Sequence, residues 1–389
     1  MGPRITSSAG LGGTQSPSLL TGLSILASIV FLPSIAFAGN QTTVIYASRD
    51  EIASAVATVC DAELAAFEPR GVYKQQWCEA VFHMGVLAAY ELTGNDRYRD
   101  AAFEWCRARE WRLGPRPVHA DDMSPAQVYL ESAEMPGSDA SLDAVVSTFD
   151  ALLADSLRGR EVWSWSDALF MAPPAMARLS KATGDPRYVE AMDEMWWDAV
   201  DALYAPEWNL LHRDLRQRQW VEASAAAPIP GRPTTLPRFW ARGNAWVMAG
   251  TVRVLDVLPD DHASRPRYLE LLADMSDAVA AVQGEDGLWR PDLLSSRETS
   301  LGPDSSASSL FCCAIAWGVA EGVLAQDEFG PVAFAAWEGL ENCIDESGRL
   351  GWVQRIASSP GAVLASSRAD YGAGAFLLAA REIARLAAR

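Results

Sequence analysis

A single acid stands between tryptophans and an apolar run in the stretch WSWSDALFMAPPAM, residues 163–176. The acid is Asp167, and Trp165 lies two positions before it. As a helix N-cap, Asp167 or Ser166 would accept a hydrogen bond from the free amides of the first turn. As a catalytic acid, Asp167 would lie in an aromatic, partly desolvated pocket that keeps its carboxyl group protonated near neutral pH.

Two adjacent acids follow a histidine in the stretch HADDMSPAQVY, residues 119–129. Asp121 and Asp122 stand at the start of a predicted helix, where capping and a favourable interaction with the helix dipole would account for both of them. Alternatively, one of them is the second carboxylate of a pair that holds a shared proton or a water molecule. The residues alone leave both interpretations open.

An arginine stands between tryptophans in the stretch FWARGNAW, residues 239–246. Arg242, flanked by Trp240 and Trp246, would present a planar fork of donors to a carboxylate in a low-dielectric setting. The alternative is an arginine that stacks on an indole and only stabilises the fold. We favour the first interpretation, which makes all three residues candidates for substrate binding.

A second polar group occurs in a long loop, where the stretch LHRD follows Trp208. His212 and Arg213 would suit recognition of a hydroxyl or a carboxylate group. A surface turn is the alternative explanation.

Composition restricts the possible partners of the chain. The 389 residues carry a formal net charge of −18, which argues against nucleic acid and anionic membrane surfaces. An anionic small substrate remains possible if its pocket supplies arginine or histidine. Fifteen tryptophans favour a carbohydrate site, because indole faces stack on sugar rings. Six cysteines show neither a C-x-x-C pair nor metal spacing, so we predict buried thiols, no metal and no cofactor.

The first 38 residues differ from the rest of the chain. Residues 19–38 are apolar and end in Ala-Phe-Ala, which fits the cleavage site of a secretory signal peptide. We therefore predict a signal peptide over 1–38, a single catalytic domain over 39–389, and an exported, periplasmic or secreted, protein. An uncleaved membrane anchor is the alternative.

A repeated turn indicates how the chain is organised. The sequence TGNDRY at 93–98 recurs as TGDPRY at 183–188, with a weaker copy at 264–268, and each copy separates two apolar helical patterns. The twelve predicted helices would form six hairpins, which predict an all-α (α/α)6 barrel. A helical solenoid is the competing architecture. Short β segments are expected at 287–289 and 350–352. The predicted helices start near Arg49, Trp77, Arg97, Ala120, Leu142, Asp167, Arg187, Arg242, Arg267, Ser306, Pro331 and Asp370.

An ordered set of motifs over roughly residues 70–385 resembles glycoside hydrolase family 105, the unsaturated rhamnogalacturonyl hydrolases. This family is the sister of family 88, the unsaturated glucuronyl hydrolases. The motifs that carry the resemblance are HADDMSPAQVYLE, WSWSDALFMAPPAMARLSKATGDPRY, LLHRDLRQRQW, FWARGNAWVMAGTVRVLDVLP, DGLWRPDLL and DYGAGAFLLAAREI.

The resemblance implies an (α/α)6 glycosidase whose substrate is an anionic oligosaccharide left by a polysaccharide lyase. Such an enzyme hydrates the C4=C5 bond of a terminal 4,5-unsaturated uronic acid, and the neighbouring sugar is then expelled. A pectin fragment would be the simplest substrate, and an unsaturated glucuronyl oligosaccharide is the second choice. A third possibility is that the protein binds sugar without any catalytic activity. The oligomeric state is not indicated.

The resemblance also implies roles for individual residues. Asp167 matches the general acid/base, and its partner falls on the Asp121-Asp122 pair, where we favour Asp121. His212 matches a loop histidine that contacts substrate, although Arg213 stands where many members have glycine. The segment with Trp240, Arg242 and Trp246 matches the lining of the uronate subsite, and Trp165 and Asp122 are further candidates for substrate binding. Near Asp304 the chain departs from the family pattern, which puts a role for that residue in doubt.

Overall fold

Helices account for nearly all regular structure in the computed structural model, which describes residues 47–69, 76–116, 118–219, 238–294 and 301–389. Within Tyr46–Arg389 these residues belong to one compact unit. The helices are α1 Arg49–Ala65, α2 Gln76–Thr93, α3 Asp96–Ala108, α4 Ala120–Met123, α5 Pro125–Ala133, α6 Asp143–Ala154, α7 Ala168–Met171, α8 Pro173–Thr183, α9 Pro186–Leu203, α10 Ala241–Leu255, α11 Arg265–Ala280, α12 Ser305–Ala320, α13 Gln326–Glu341 and α14 Asp370–Ala387.

Six of these helices form a closed inner ring. Around it, α2 contacts α5, α5 contacts α8, α8 contacts α10, α10 contacts α12, and α12 contacts α14, which returns to α2. Every residue of α10 and α12 is buried, as expected for helices that are covered on all sides. The remaining long helices pack outside this ring. Closure between the last helix and α2 confirms the (α/α)6 barrel and excludes the open solenoid.

The repeated turn joins helices as the sequence predicts. Gly94 and Gly184 have φ angles of 69° and 72°, a left-handed conformation that suits glycine. Asn95 and Asp185 then cap the next helix by accepting from the backbone N–H two residues on, at 3.2 and 3.0 Å. The tyrosines of these two copies donate to an aspartate of another helix, Tyr98 to Asp61 at 3.0 Å and Tyr188 to Asp150 at 2.9 Å.

The inner helices α2 and α14 approach closely at a pair of glycines. A Cβ atom on Gly85 would lie 2.4 Å from the carbonyl oxygen of Gly374, and one on Gly374 would lie 2.2 Å from that of Val81. Only a residue without a side chain fits this crossing. The glycines of DYGAGAF therefore serve packing.

Prolines divide two of the predicted helices. All predicted helix starts but one lie within two residues of an observed start, but the helices from Ala120 and Asp167 break before Pro125 and Pro173, respectively. Proline lacks the N–H that would continue each helix and is tolerated at the first position of a new one. The exception is Pro331, because α13 begins at Gln326 and contains that proline.

The predicted β segments are only partly present. Leu350 forms an isolated bridge with Ile344, whereas residues 287–289 form no strand. The paired strands, which the sequence did not predict, are β1 Tyr204–Ala205 and β2 Leu210–Leu211, antiparallel to each other.

Other predictions concern the cysteines and the N-terminus. All six cysteines are buried and free, in keeping with buried thiols. Across the described part of the chain, no helix is both long and apolar enough to cross a membrane. The predicted signal peptide lies outside the described residues.

Candidate active site

The adjacent acids Asp121 and Asp122 face different surroundings. Asp122 is buried, and it accepts hydrogen bonds from the backbone N–H, Nε and Nη2 of Arg116 at 2.9, 3.1 and 2.7 Å. Asp121 lines a cavity of about 830 Å³ and keeps 24% of its side chain exposed. Asp122 thus forms an ion pair that holds Arg116 at the cavity wall, and its contact with substrate stays a prediction.

The pKa of Asp121 lies far above the ordinary value of an aspartate. Burial, reinforced by the neighbouring charge of Asp167, raises the pKa of Asp121 to about 7, although Arg116 acts in the opposite direction. The sequence assigned a raised pKa to Asp167 instead. A carboxyl group that keeps its proton near neutral pH therefore occupies the cavity wall at Asp121.

Asp167 precedes α7 but does not cap it. Its side chain makes no capping hydrogen bond, so the N-cap interpretation is wrong. The hydroxyl of Ser166 donates to Oδ2 of Asp167 at 3.4 Å, and the side chain is partly buried. The charge of Asp167 acts on Asp121 on one side and on Arg242 on the other. Asp167 therefore links the open cavity to a buried cluster around Arg242.

The stretch WSWSD and the loop LHRD are held together by their backbones. The N–H of Ser166 donates to the carbonyl of Arg213 at 2.9 Å, and Trp165 forms an isolated β-bridge with Asp214. Trp165 lines the cavity, where its ring lies 5.0 Å from that of His119. Two motifs distant in sequence thus build adjoining walls of one cavity.

Arg213 joins the two parts of the site. It lines the cavity with 26% of its side chain exposed, and Nη1 donates to Asp214. Its guanidinium lies 5.9 Å from the ring of Trp240, and its Nε is buried without a hydrogen bond to the described residues. The neighbouring His212 is buried with its ring 5.2 Å from that of Phe239.

Arg242 lies against Trp240 and Tyr371, not between the two predicted indoles. Its guanidinium is 4.4 Å from the ring of Trp240 and 5.3 Å from that of Tyr371. Nη1 donates to the carbonyls of Gln354 and Arg355 and to the hydroxyl of Tyr371, at 3.3, 3.0 and 2.6 Å. Only 2% of the residue is exposed. Nη1 is thus engaged by the protein itself, whereas Nε is buried without a hydrogen bond to the described residues.

Trp246 lies deeper than the sequence implied. It is fully buried, 4.6 Å from the ring of Phe170 and 6.1 Å from that of Trp77. Trp240 is also buried, and its Nε1 donates to Oε1 of Gln354 at 2.6 Å. Both indoles therefore support the site from inside the ring.

Four residues of the site were not among the predicted ones: His119, Arg116, Gln354 and Tyr371. His119 precedes the paired acids and Tyr371 belongs to DYGAGAF, so two of them stood in motifs already singled out. No local signal marks Gln354. Asp304, whose role was in doubt, is buried and caps α12, and burial raises its pKa.

The arrangement is suited to acid–base chemistry on a sugar. Two interacting carboxyl groups stand beside an open cavity, and tryptophan and arginine side chains surround them. Among the described residues, no group of three or more histidine, cysteine, aspartate or glutamate side chains could hold a metal ion. A closed (α/α)6 ring with a carboxylate pair of this kind defines a six-hairpin glycosidase.

The comparison with known families agrees with that class. The sequence profile of Glycosyl Hydrolase Family 88 matches residues 50–387. The chain therefore belongs to glycosyl hydrolase family 88 and is a glycosidase, which confirms the sister families named from the motifs.

Individual relatives extend over most of the chain. An unsaturated 3S-rhamnoglycuronyl hydrolase from Formosa agariphila is 33% identical over 323 residues, which cover 80% of this chain and 84% of the relative. A solved family 88 glycosyl hydrolase from Bacteroides vulgatus is 25% identical, with a TM-score of 0.78 over 87% of this chain and all of that chain. A possible family 105 member from Salmonella enterica is 20% identical and shares the fold, with a TM-score of 0.70 over 89% of this chain and 96% of that chain.

Proposed function

We propose that this enzyme removes a 4,5-unsaturated uronic acid from the non-reducing end of lyase-generated oligosaccharides by hydrating the C4=C5 bond. The observation that carries the proposal is the pair Asp121 and Asp167, in which burial and the second charge raise the pKa of Asp121 to about 7. Protonating a carbon atom requires a carboxyl group that is still protonated near neutral pH. Two interacting carboxyl groups hold such a proton as a pair, so either member of the pair can deliver it.

The reaction needs one proton donor and one directed water molecule. The pair delivers a proton to C4 of the enol ether, and water adds to C5 and gives a proton back to the pair. The resulting hemiketal opens by breaking the C5–O5 bond, which leaves a ketone at C5 and a hemiacetal at C1. The hemiacetal then collapses to an aldehyde, which breaks the bond to the neighbouring sugar and transfers the hydroxyl proton to the oxygen of that leaving group. One water molecule is consumed, and no covalent bond to the protein is needed. Asp167 is the proposed donor, with Asp121 as the partner that holds the shared proton or the water.

Arg213 is better placed than Arg242 to bind the carboxylate of the uronyl unit. Both arginines lie near Trp240, but Arg213 is partly exposed in the cavity, whereas Arg242 is buried and donates to the protein. A guanidinium that is partly exposed in the cavity can make a charge-assisted contact with a carboxylate. In this proposal Arg242 and Trp246 hold the shape of the subsite, and His212 and Trp240 border it.

The sugar beyond the uronyl unit decides between the possible substrates. Lyase elimination removes the C4 stereocentre that distinguishes galacturonic from glucuronic acid, so the unsaturated ring itself does not reveal its source. The name of the Formosa agariphila relative favours a rhamnose-linked glycuronyl unit. We therefore propose an unsaturated uronyl–rhamnose unit, and a pectin fragment is one possible source of it.

The test is to offer lyase-generated oligosaccharides from rhamnogalacturonan, from a glucuronyl–rhamnose polymer with and without sulfate esters, and from a glycosaminoglycan. Loss of ultraviolet absorbance by the conjugated double bond follows the reaction. Turnover of a uronyl–rhamnose fragment supports the proposal. Turnover of the glycosaminoglycan fragment alone would contradict the proposed aglycone. Binding without any turnover would indicate the sugar-binding protein instead.

We also propose that the protein is exported. The support is the apolar run over 19–38 that ends in Ala-Phe-Ala. Mass spectrometry of the purified protein should find an N-terminus at or near Gly39, and cell fractionation should find the protein outside the cytoplasm. Intact residues 19–38 on membrane-extracted protein would show an uncleaved anchor.

A further inference from the structure

His119 has one ring nitrogen committed to the backbone. Nδ1 lies 3.3 Å from the backbone N–H of Asp121 and accepts a hydrogen bond from it. The nearest carboxylate contact, from Nδ1 to Oδ2 of Asp121, measures 3.9 Å and is too long for a hydrogen bond. Because Nδ1 must be unprotonated to accept, a neutral ring carries its proton on Nε2.

The surroundings of the ring favour this neutral form. Burial, and then the charge of Arg116, lower the pKa of His119, while Asp122 acts in the opposite direction. The ring also packs against Trp165 with the planes at 44°. The tautomer and the ring orientation are thus fixed before any ligand binds.

The second ring nitrogen, Nε2, is available for a polar contact in the cavity. His119 lines the cavity with 31% of its side chain exposed, and Nε2 makes no hydrogen bond with the described residues. Leu157 and Gln219 line the same cavity as Asp121 and Trp165, whereas neither Asp167 nor Arg242 lines it. The cavity therefore has room for the part of a substrate beyond the uronyl ring.

We propose that His119 is a substrate-binding residue that donates from Nε2 to an oxygen of the sugar next to the unsaturated uronyl unit. The inference rests on the proposed function, because it assigns the cavity to the leaving sugar. In this proposal Nδ1 of His119 positions the backbone segment that carries Asp121, and Nε2 binds the sugar that leaves.

Two substitutions separate these roles. His119→Asn places an amide oxygen near the position of Nδ1, which retains the bond to Asp121, but it does not reach the position of Nε2. His119→Gln places an amide nitrogen near the position of Nε2. His262 is the matched control, since its Nδ1 accepts from the N–H of Ser264 at 3.3 Å and it does not line the cavity. His262→Asn and His262→Gln therefore report what the backbone contact alone contributes to thermal stability.

The kinetic experiment compares an unsaturated uronyl–rhamnose disaccharide with the methyl glycoside of the unsaturated uronic acid. We expect His119→Asn to lose about five- to tenfold in kcat/KM on the disaccharide, as for one hydrogen bond, and His119→Gln to lose less than His119→Asn. The loss should be at least about threefold larger on the disaccharide than on the methyl glycoside. A higher kcat/KM for His119→Asn than for His119→Gln would overturn the proposal in favour of a purely structural role. Equal losses of kcat/KM on both substrates would overturn it in the same way.

Wild-type protein supplies a measurement that needs no variant. In protein with ¹⁵N-labelled imidazoles, His119 should show a protonated Nε2 and an unprotonated Nδ1 at neutral pH, and rhamnoside binding should shift the Nε2 resonance. A proton on Nδ1 would contradict the proposal. The failure of this inference can be distinguished from the failure of the proposed function. A wild-type protein that leaves every unsaturated uronide intact would refute the function, whichever tautomer His119 adopts.

Discussion

Asp121 and Asp167 lie close enough for the charge of one to act on the other, and together with burial this holds the pKa of Asp121 at about 7. Two carboxyl groups that interact in this way titrate as a pair, so a proton can be retained by the pair at neutral pH. Asp121 lines the cavity, and the charge of Asp167 also acts on the buried Arg242. The pair is therefore coupled both to the open cavity and to the buried cluster around Arg242.

Asp121→Asn should increase stability in a pH-dependent way. The folded pKa of about 7 exceeds the ordinary value of 3.8, so ionising Asp121 opposes folding. This cost is absent below about pH 4, grows as the pH rises to about 7, and then stays constant. Relative to wild type, the Asn variant should gain at most about 4 kcal/mol at high pH, because each pKa unit is worth about 1.4 kcal/mol. Urea unfolding at about pH 4 and pH 8 measures the difference.

The groups around Asp121 define the control. Asp167, Arg116, Asp122 and Arg213 all act on its carboxyl group. Asp122→Asn breaks the ion pair with Arg116 and should lower stability at pH 8, opposite in sign to Asp121→Asn. A stability gain from Asp121→Asn that is the same at both pH values would contradict the raised pKa.

Asp167→Asn should abolish turnover with little effect on folding. As the proton donor, Asp167 should account for a loss beyond the ~10²–10⁴ usual for acid–base assistance alone. Since its side chain makes no cap bond, the stability loss of about 1 kcal/mol that accompanies removal of a cap is not expected. Single-turnover kinetics and a thermal melt measure the two effects. A folded variant with near-wild-type rate would remove Asp167 from the chemistry.

Local signals were sufficient to predict the hairpins. In TGNDRY and TGDPRY, the glycine ends a helix and the polar residue after it caps the next, and both effects act within a few residues. The helix breaks before Pro125 and Pro173 were also readable in principle, because proline cannot donate to the preceding turn. The motifs LHRD and WSWSD predicted a shared site, but not the backbone bonds that join them.

The surroundings of individual site residues depend on contacts between distant segments. Arg242 donates to Gln354 and Tyr371, which lie 112 and 129 positions away, and nothing within FWARGNAW indicates them. The residue pattern alone did not distinguish Asp121 from Asp122, although the resemblance favoured Asp121, and it did not indicate that Arg116 binds Asp122. The raised pKa of Asp121 could not be read from its neighbours in sequence, since burial is a property of the assembled ring.

Alanine should lower stability at the glycine contact between α2 and α14 and raise stability at a glycine elsewhere. Gly85→Ala or Gly374→Ala would bring a Cβ within 2.4 Å of a backbone oxygen of the other helix, so each should destabilise the protein by about 1–3 kcal/mol or more. Gly330→Ala, in α13, meets only the side chain of Gln326 at 3.7 Å. It should stabilise by about 0.5–1 kcal/mol, because alanine restricts the unfolded chain. Chemical denaturation compares all three, and a tolerated Gly374→Ala would contradict the close crossing.

Arg213 and Arg242 should respond differently to substitution by lysine. Lysine keeps the charge but loses the planar fork, so Arg213→Lys should lower kcat/KM for the free-acid substrate by about tenfold or more, the equivalent of about 1.5–3 kcal/mol. It should act less on the methyl ester, so the preference for acid over ester should shrink. Arg242→Lys removes contacts with two carbonyls and Tyr371 and should lower stability by about 1–3 kcal/mol, with the preference retained. Parallel kinetics on acid and ester, together with unfolding curves, distinguish the two. If Arg242→Lys alone erased the preference, the carboxylate would bind at the buried cluster, and Asp167 would have to protonate the substrate from the side of Arg242.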